Sequence, residues 1–554
     1  MKKNFVPNHS NNGGFMLPDF SIDEVVKGLK ALAPNSGSGE SGIESAVLIE
    51  SADALGPHLT YLFNLILSTG VFPDEWKYAH ITPIFKSGKV SDLSNYRPIS
   101  ILSPISKLFE SLISTKTMSY LESNSLLHPA QFAYRKKTST EHAVLTMIEE
   151  WRKRLDDGYD VIAVFLDLSK AFDTVNHKIL LAKLKFYGFH ENFIKLIRSY
   201  LHKRRIRVKV NNTLSLSQIV DDDLGVPQGS VLGPLLFIVY FNDFNFLTTL
   251  SLNFLYADDT TMSCYGRDMN LIIHNIERDL ILIEEWLNNN RLLINVKKTQ
   301  AMHFSASAKY KNFALNSNDP DVDISKHKHI MFKDKKITFV KNFRLLGFII
   351  DNQLRFEDQV KSICKKVNSI TGLLCKSSYL FTDKIKPSLF KLFIMNRFEY
   401  CGAAILHLPN KKCFDRLEKC FSNSISRFLR VNINSFQDID SFCFLKKKFN
   451  IFPLKYRLFF HFCTFLFNLC KSNNNFYKNN FIKNSRNTRA VFMVNQFKTD
   501  FGKFSFTTIA TKILNKFLTT HLDRGSSTTF KNFLRLDFNL FNLYEGSKGI
   551  WTWS

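Results

Sequence analysis

The sequence lacks the segments that mark secreted and membrane-spanning proteins. Its first residues are polar and rich in Asn and Gly, so they do not form the apolar core of a secretory signal. The most apolar window, Leu458–Cys470, is interrupted by His461 and Asn468 and is well short of the ~20 residues that a spanning helix needs. We therefore expect an intracellular protein with no membrane partner, in which Leu458–Cys470 forms a buried helix.

Cysteine is scarce and irregularly spaced. The 554 residues include 9 cysteines, eight of which follow residue 363, and none of them forms a Cys-X-X-Cys pair. A small disulfide-stabilised domain or a zinc site would show regular spacing of these residues. We therefore expect reduced, mostly buried thiols and no zinc knuckle.

Acidic residues are too few to balance the basic ones. Lys and Arg total 74 against 49 Asp and Glu, which gives a formal net charge of +25. An excess of this size favours polyanionic partners such as nucleic acid. A compositional bias toward Lys, Asn, Phe and Ile, visible in the 54 Phe residues, is the alternative explanation. The charge alone leaves both explanations open.

The rest of the composition is typical of a folded protein with several modules. Hydrophobic residues make up 45% of the chain and charged residues 22%, and the length predicts about three or four domains. The hydrophobic patterns predict five segments, which are a polar tail (1–20), a helical extension that begins after a Ser21 cap (21–75), a mixed α/β region (76–351), a helical region (352–440) and a basic, mainly helical C-terminal region (441–554).

The C-terminal segment contains more than half of the charge excess. Residues 441–554 include 18 Lys and Arg against 4 Asp and Glu, together with 21 of the 54 Phe. Basic and aromatic side chains in combination can bind single-stranded nucleic acid through phosphate neutralisation and stacking. A Phe-packed helical module with a solvated lysine face explains the same composition equally well.

Three carboxylates follow directly after apolar runs. The run VIAVFL at 161–166 ends on Asp167, and LNFLYA at 252–257 ends on Asp258 and Asp259. Such runs predict strands buried on both faces, which would deliver the carboxylates from their ends. Paired carboxylates suit two divalent ions that activate a hydroxyl and stabilise a leaving pyrophosphate. Taken alone, each run is equally typical of a capped strand.

The stretch between these carboxylates contains helices, basic strands and a glycine-rich segment. The patterns predict helical segments over Ile179–Tyr200 and Val231–Phe241 and a basic strand pair near RRIRVKV. In GVPQGSVLGPLLF (225–237) the glycines allow close backbone approach, and the amide of Gln228 can contact a base or sugar. A turn that leads into a buried helix is the structural alternative.

Seven motifs follow one another in the order of a known enzyme family. They are WKYAHITPIFKSGKVSDLSNYRPISIL (76–102), QFAYRKKTSTEHAV (131–144), VIAVFLDLSKAFDTVNH (161–177), GVPQGSVLGPLLF (225–237), YADDTT (256–261), LLINVKKTQAMHF (292–304) and FRLLGFIID (343–351). Over about residues 20–430 the chain resembles the reverse transcriptases of non-LTR retrotransposons, in particular the jockey-like LINE-type elements. The resemblance implies an α/β (α+β) right-hand polymerase fold, with fingers and palm in 76–351 and a helical thumb in 352–440.

The resemblance assigns the carboxylates to metal binding. Asp167 and Asp258 correspond to the ligands of two Mg²⁺ ions, with Mn²⁺ as an alternative, and Asp259 corresponds to the third acid of the active site. Phe172, five residues after the first carboxylate, corresponds to the bulky residue that crowds a 2′-hydroxyl. The resemblance therefore implies selection of deoxynucleotides.

Other family positions imply contacts with the nucleotide. Lys86 and Arg97 correspond to basic residues that reach the incoming triphosphate, where fixed positive charge offsets the developing negative charge. Gln228 and Gly229 correspond to the loop that contacts nucleotide and template. For Lys86 and Arg97, a solvated surface loop is the structural alternative.

Two further assignments concern the leaving group and the primer. Lys298 corresponds to the residue proposed to protonate pyrophosphate, with Lys297 as the alternative. Leu346 and Gly347 occupy the turn of the family's primer-grip hairpin, which also suits a core hairpin. Both assignments rest on the resemblance.

The implied function is that of an RNA-directed DNA polymerase. Its partners would be template RNA, a DNA primer or target, and deoxynucleoside triphosphates, and the family implies action in the nucleus. Fewer than 25 residues precede the first family-like helix, and no spaced set of carboxylates follows residue 440. We therefore expect a separate endonuclease and no RNase H domain.

Two rival functions remain open at this stage. One rival is an RNA-templated polymerase of the group II intron or retron kind, or an RNA-dependent RNA polymerase. Phe172 disfavours the use of ribonucleotides, since a small residue would be expected there instead. A decayed or domesticated RNA-binding protein without catalysis is suggested by the absent endonuclease and by departures such as Ser41 in GESGIES and Ala133 in QFAYR. The intact carboxylates favour the active enzyme.

Overall fold

The structure, a computed structural model, describes residues 14–211, 213–220, 223–248, 250–305, 329–406, 411–431, 444–445, 447–470 and 506–513. The chain divides into two units. The first takes its described residues from Met1–Arg135, Leu166–Thr260 and Arg278–Lys298, and the second from Lys136–Phe165, Thr261–Glu277 and Thr299–Ser554. Both contain helices and strands, so the expected mixture of α and β structure is confirmed. Most of the predicted C-terminal region, 441–554, lies outside the described residues.

Helices and strands are numbered here in chain order over the described residues. The helices are α1 (Ile22–Lys30), α2 (Ser45–Glu50), α3 (Ala52–Thr69), α4 (Pro104–Ser123), α5 (Thr140–Asp156), α6 (His177–Phe186), α7 (Glu191–Leu201), α8 (Leu232–Phe241), α9 (Met269–Asn289), α10 (Glu357–Lys376), α11 (Lys386–Leu389), α12 (Asn396–Glu399), α13 (Gly402–Leu406), α14 (Lys411–Leu429), α15 (Leu454–Cys470) and α16 (Phe506–Ile513). The strands are β1 (Tyr78–Phe85), β2 (Tyr96–Ile101), β3 (Asp160–Leu166), β4 (Arg205–Val210), β5 (Thr213–Leu214), β6 (Gln218–Ile219), β7 (Leu252–Tyr256), β8 (Asp259–Gly266), β9 (Gln300–Phe304), β10 (Ile330–Phe332), β11 (Lys335–Phe339), β12 (Asn342–Leu345) and β13 (Phe348–Asp351).

The first helix begins at the predicted cap. The Ser21 hydroxyl accepts a hydrogen bond from the Glu24 N–H at 3.2 Å, and the Glu24 carboxylate accepts one from the Ser21 N–H at 3.0 Å. The residues just before it, assigned to the polar tail from the sequence, pack against the fold: Phe15 stacks on Tyr120 of α4 with ring centroids 4.0 Å apart, and Phe20 is buried. The N-terminal helices are thereby attached to the first unit.

The sheet of the first unit positions two of the predicted basic residues. Its strand order is β2-β1-β4-β5, and β6 also pairs with β4. The antiparallel β1–β2 pair aligns Ile84 with Arg97. Lys86 follows β1 directly, and its N–H donates to the Asn95 carbonyl at 2.8 Å. The β1–β2 hairpin therefore carries both Lys86 and Arg97 at one end.

The sequence predicts one helical segment over Ile179–Tyr200, and this prediction of a single helix is wrong. The structure has α6 and α7 instead, separated by residues 187–190. Gly188 adopts a positive φ of 82°, a conformation that favours glycine and does not continue an α-helix. Phe189 and Phe193 are both buried, so the apolar spacing in the sequence continues across the turn. The sequence pattern therefore does not reveal that the helix ends there.

The second unit contains the strand that precedes Asp167. Its sheet has the order β10-β11-β9-β3-β8, and β3 pairs with β9 antiparallel. After its first residue, every residue of β3 is buried, which confirms the prediction of a strand buried on both faces. A two-stranded β12–β13 hairpin follows in the same unit.

The helices from α10 onward also belong to the second unit. Leu458–Cys470, predicted as a buried helix, forms most of α15, and most of its apolar side chains are buried. Within the described ranges, no helix has the length and apolar character needed to cross a membrane. Six of the eight cysteines that the structure describes are buried.

Candidate active site

Asp167 begins a short paired segment at the end of β3. Its carbonyl accepts a hydrogen bond from the Asn295 N–H at 2.7 Å, and the Ser169 N–H donates to the Leu293 carbonyl at 2.8 Å. The side chain of Asn295 also hydrogen-bonds to the Asp167 carboxylate. Residues 293–295 therefore fix both the backbone and the side chain of Asp167.

The other two carboxylates lie on a tight turn between β7 and β8. Ala257 has a positive φ of 58°, a left-handed conformation that non-glycine residues rarely adopt. Asp258 follows it, and Asp259 is the first residue of β8. The turn thereby places two consecutive carboxylates at the end of an apolar strand, as the sequence predicts.

The three carboxylates influence one another electrostatically. Burial raises the pKa of Asp167, while Lys298, Asn295 and Lys86 act in the opposite direction. Burial is also the main reason why the pKa of Asp258 is raised, and the charge of Asp167 adds to it.

Asp259 shows the strongest effect of this crowding. Although its side chain remains open to solvent, removal of water by the surrounding protein and the charges of Asp258 and Asp167 raise its pKa to about 6. Negative charge is thus concentrated here beyond what the nearby basic residues offset.

This donor set fits hard divalent cations. It consists of carboxylate oxygens, which Mg²⁺ prefers, and an added cation would relieve their mutual repulsion. Within the residues that the structure describes, no group of three or more His, Cys, Asp or Glu side chains is arranged to hold a metal ion. Mg²⁺ is commonly held in proteins by one or two carboxylates, and substrate phosphates and water complete its coordination.

Three of the predicted basic residues act on these carboxylates. Lys86 and Arg97 are both exposed, and their charges oppose the raised pKa of Asp258. Lys298 is the strongest charge that opposes the raised pKa of Asp167, and Lys297 does not contribute to it. The structure therefore favours Lys298 over Lys297 as the lysine beside the carboxylates.

Gln228 and Gly229 lie against the β1–β2 hairpin. The Ser100 N–H of β2 donates to the Gln228 carbonyl at 2.6 Å, and the Gln228 side chain donates to Asp173 at 2.8 Å. A Cβ at position 229 would lie 2.7 Å from the Ser100 carbonyl oxygen, and Gly229 has a φ of 104°. Glycine is therefore required for this close backbone approach.

Phe172 lies on the loop between Asp167 and α6. Its half-buried ring stacks on Phe237 of α8, with centroids 4.5 Å apart and planes at 16°. Its carbonyl accepts a hydrogen bond from the Val226 N–H at 2.9 Å. Packing of this kind holds the ring in a fixed orientation beside the glycine-rich loop.

Leu346 and Gly347 belong to the second unit, where they form the turn between β12 and β13. Both have positive φ values, 48° and 85°, as a two-residue hairpin turn requires. The Tyr400 hydroxyl donates to the Leu346 carbonyl. The predicted hairpin is therefore present, and Tyr400, which follows α12, contacts its turn.

A buried glutamate that the sequence analysis missed supports the glycine-rich loop. Glu110 of α4 is 0% exposed, and one of its oxygens accepts hydrogen bonds from the N–H groups of Val231 and Leu232 at 2.9 and 3.1 Å. These are N–H groups at the start of α8, where a negative charge is favourable. Tyr200 also donates to this carboxylate. Glu110 therefore anchors the helix that follows the loop.

The geometry can be compared with known proteins. The protein family described as reverse transcriptase (RNA-dependent DNA polymerase) matches residues 84–350, a range that includes all three carboxylates. Over these residues the chain is similar to reverse transcriptases, and the proteins that it resembles include the RNA-directed DNA polymerases of jockey elements. The recognition made from the seven motifs is thus confirmed.

Three proteins similar to this chain come from mobile elements of Drosophila melanogaster. The probable RNA-directed DNA polymerase from transposon BS of Drosophila melanogaster is 32% identical over 286 residues, which are 50% of this chain and 31% of that protein. The RNA-directed DNA polymerase from mobile element jockey of the same species is 26% identical over 381 residues, covering 67% and 39%. The probable enzyme from transposon X-element is 28% identical over 378 residues, covering 67% and 39%. The chain thus spans less than two fifths of the length of these relatives.

Proposed function

We propose that this protein is an RNA-directed DNA polymerase that extends a DNA 3′-end on an RNA template, with deoxynucleoside triphosphates as substrates. The observation that carries the proposal is the mutual influence of Asp167, Asp258 and Asp259, together with Lys86 and Arg97, within one unit. Concentrated carboxylates with basic residues close by are suited to two cations and a triphosphate. Fingers, palm and thumb would be formed by the segments expected from the sequence.

In this proposal Asp167 and Asp258 hold two Mg²⁺ ions, and Mn²⁺ could replace them. The ions would activate the primer hydroxyl and stabilise the charge of the leaving pyrophosphate. Asp259 adds negative charge that favours cation binding. Lys86 and Arg97 would bind the triphosphate, and Lys298, which offsets the charge of Asp167, would donate a proton to the pyrophosphate.

The remaining residues would position the nucleotide and the nucleic acid. Phe172, held by its stacking on Phe237, would exclude a 2′-hydroxyl by its bulk. Gln228 and Gly229 would contact nucleotide and template from the loop in front of α8. Leu346 and Gly347 would hold the primer at the tip of the β12–β13 hairpin.

The test is primer extension on poly(rA)/oligo(dT) with dTTP and Mg²⁺, comparing the wild type with Asp258→Ala. A matched control is Asp53→Ala, because Asp53 is exposed in the same unit and only pairs with Lys30. We expect extension by the wild type and the control and none by Asp258→Ala.

A second arm of the same experiment replaces dTTP with UTP. Preferred incorporation of UTP would contradict the proposed sugar selection and favour an RNA polymerase. No extension by folded wild-type protein that still binds the substrate would favour a catalytically inactive, RNA-binding descendant of such an enzyme. Strong salt dependence of that binding would accompany it.

A further inference from the structure

The motif QFAYR has no role in the function proposed above, yet its first residue contacts the catalytic turn. The side chain of Gln131 is 0% exposed. Its amide oxygen accepts a hydrogen bond from the Ala257 N–H at 3.1 Å and a second from the Ala133 N–H at 3.0 Å. One buried oxygen therefore joins the QFAYR loop to the residue that precedes Asp258.

The Ala257 backbone needs such support. Its positive φ of 58° is a strained conformation for a residue with a Cβ and costs roughly 1–2 kcal/mol. Ala257 is 4% and Ala133 0% exposed, so water is poorly placed to replace the amide oxygen of Gln131. Without it, two buried N–H groups would lack a partner, and the turn could relax.

Backbone hydrogen bonds attach the same loop to β7. The Phe132 N–H donates to the Leu255 carbonyl at 2.9 Å, and the Leu255 N–H donates to the Ala130 carbonyl at 2.9 Å. These bonds fix the strand up to Leu255. The side chain of Gln131 extends the attachment by two residues, to the turn itself.

The loop is in turn fixed to α4. Arg135 makes two hydrogen bonds of 2.7 Å with the Glu122 carboxylate, a bidentate geometry that is well defined in direction. Arg135 also donates to the carbonyls of His128 and Gln131, at 2.9 and 3.2 Å. A helix, an ion pair and an amide thus form a continuous support behind the carboxylates.

The amide of Gln131 is retained at a cost. Among the described residues, its Nε2 has no hydrogen-bond partner, and a buried unsatisfied donor is unfavourable. The two hydrogen bonds that its oxygen accepts therefore hold the side chain in place, although the amide nitrogen donates to none of the described residues.

We propose that Gln131 is a positioning residue for polymerisation: its amide oxygen holds Ala257 so that Asp258 and Asp259 stay in the arrangement that binds divalent cations. The inference rests on the function proposed above. It assigns a role to the QFAYR motif, and it predicts that loss of the oxygen weakens cation binding more than it weakens folding.

The test compares Gln131→Met, which has a similar shape and no accepting oxygen, with Asn64→Leu. Asn64 is a matched control, because in the same unit its amide accepts from the Phe20 N–H at 2.8 Å and donates to the Phe20 carbonyl at 3.0 Å. Binding of Mn²⁺ to the full chain is measured by electron paramagnetic resonance. Primer extension is then measured as a function of Mg²⁺ concentration.

We expect Gln131→Met to weaken Mn²⁺ binding about 10-fold and to raise the Mg²⁺ requirement of extension by a similar factor, as for other residues that orient metal ligands. Asn64→Leu should lose thermal stability and keep the wild-type Mn²⁺ affinity. Gln131→Glu, which keeps an accepting oxygen, should bind Mn²⁺ more tightly than Gln131→Met, because the hydrogen bonds to both N–H groups are preserved.

Equal Mn²⁺ affinity of Gln131→Met and wild type would overturn the inference, and so would a Gln131→Glu variant as weak as Gln131→Met. If Gln131→Met does not fold, Gln131→Asn, whose oxygen lies one methylene short, takes its place. Failure of the proposed function gives a different result. If the wild type binds Mn²⁺ more tightly than Gln131→Met but extends no primer, the role of Gln131 is supported and the polymerase function is contradicted.

Discussion

At two places in the first unit the pKa of a carboxylate is raised, and the charges around that carboxylate differ in sign. At Glu110, burial raises the pKa, and the charge of Arg204 and the N–H groups of Leu232 and Val231 all act against it. At Asp259, burial raises the pKa, and the neighbouring carboxylates of Asp258 and Asp167 raise it further. One acid is stabilised by the protein, whereas the other is crowded by like charge.

In the proposed function, this difference separates a structural acid from one that would bind an external cation. A buried carboxylate with its own donors stabilises the fold and needs no ligand. Clustered carboxylates reduce stability, and this cost is acceptable only where an incoming cation relieves it. Substitutions at the two places should therefore have opposite consequences for activity and for stability.

The largest expected effect is on activity at the crowded site. Asp167→Asn keeps the shape of the side chain but removes one charge, so extension should fall on the order of 10³-fold or more. The free energy of unfolding should stay the same or rise, because repulsion among the carboxylates is relieved. Steady-state extension rates and thermal unfolding measure the two quantities. If Asp167→Asn lost activity only because it unfolds, the proposed difference between the crowded carboxylates and Glu110 would be contradicted.

The next effect is on stability at the satisfied site. Glu110→Ala removes the acceptor of two buried N–H groups, and we expect it to lower the free energy of unfolding by about 2–5 kcal/mol. Urea unfolding measures the loss. Glu110→Gln is the matched variant, since it keeps one accepting oxygen and should lose less. Equal losses in both variants would mean that charge, rather than hydrogen bonding, stabilises the start of α8.

The smallest effect concerns a third buried acid, whose partner can titrate. In the second unit, Glu141 accepts from the Ala403 N–H at 2.8 Å and contacts the His461 ring nitrogen at 2.8 Å. Burial opposes protonation of His461, but the hydrogen bond and charge of Glu141 outweigh it and raise its pKa. A raised pKa in the fold means that this contribution to stability is complete below the unfolded value near 6.5 and is lost as the pH rises through the folded value.

We therefore expect the melting temperature of the wild type to fall by about 2–4 °C across this window. His461→Gln should show no such fall. Thermal unfolding followed between pH 6 and 9 checks the expectation. If the melting temperature of His461→Gln fell with pH as it does in the wild type, the titrating group would be a residue other than His461.

The carboxylates of the site could be predicted from the sequence because each follows a continuous apolar run. Asp167 and Asp258 stand at the ends of VIAVFL and LNFLYA, and local periodicity is enough to identify such strands. The cap of α1 and the buried helix α15 were predictable for the same reason. Basic residues such as Lys86 became candidates only through the resemblance to a family.

The sequence contains no comparable signal for contacts between residues that lie far apart along the chain. Glu110 lies in the helical sequence SKLFESLI, and the N–H groups that donate to its carboxylate are 121 and 122 residues further along the chain. Gln131 reaches Ala257 over 126 residues. The one available signal was composition: a charged or amide side chain inside an otherwise apolar stretch indicates a buried polar contact, although it does not identify the partner.

The first unit is built from three separate stretches of chain, the last of which ends at Lys298. During synthesis at about 5–20 residues per second, Asp167 leaves the ribosome roughly 7–26 s before Lys298. Asn295, which holds Asp167, arrives equally late. A premature stop or a proteolytic cut shortly before residue 295 would therefore yield a chain in which all three carboxylates are present but the residues that hold the first of them are not.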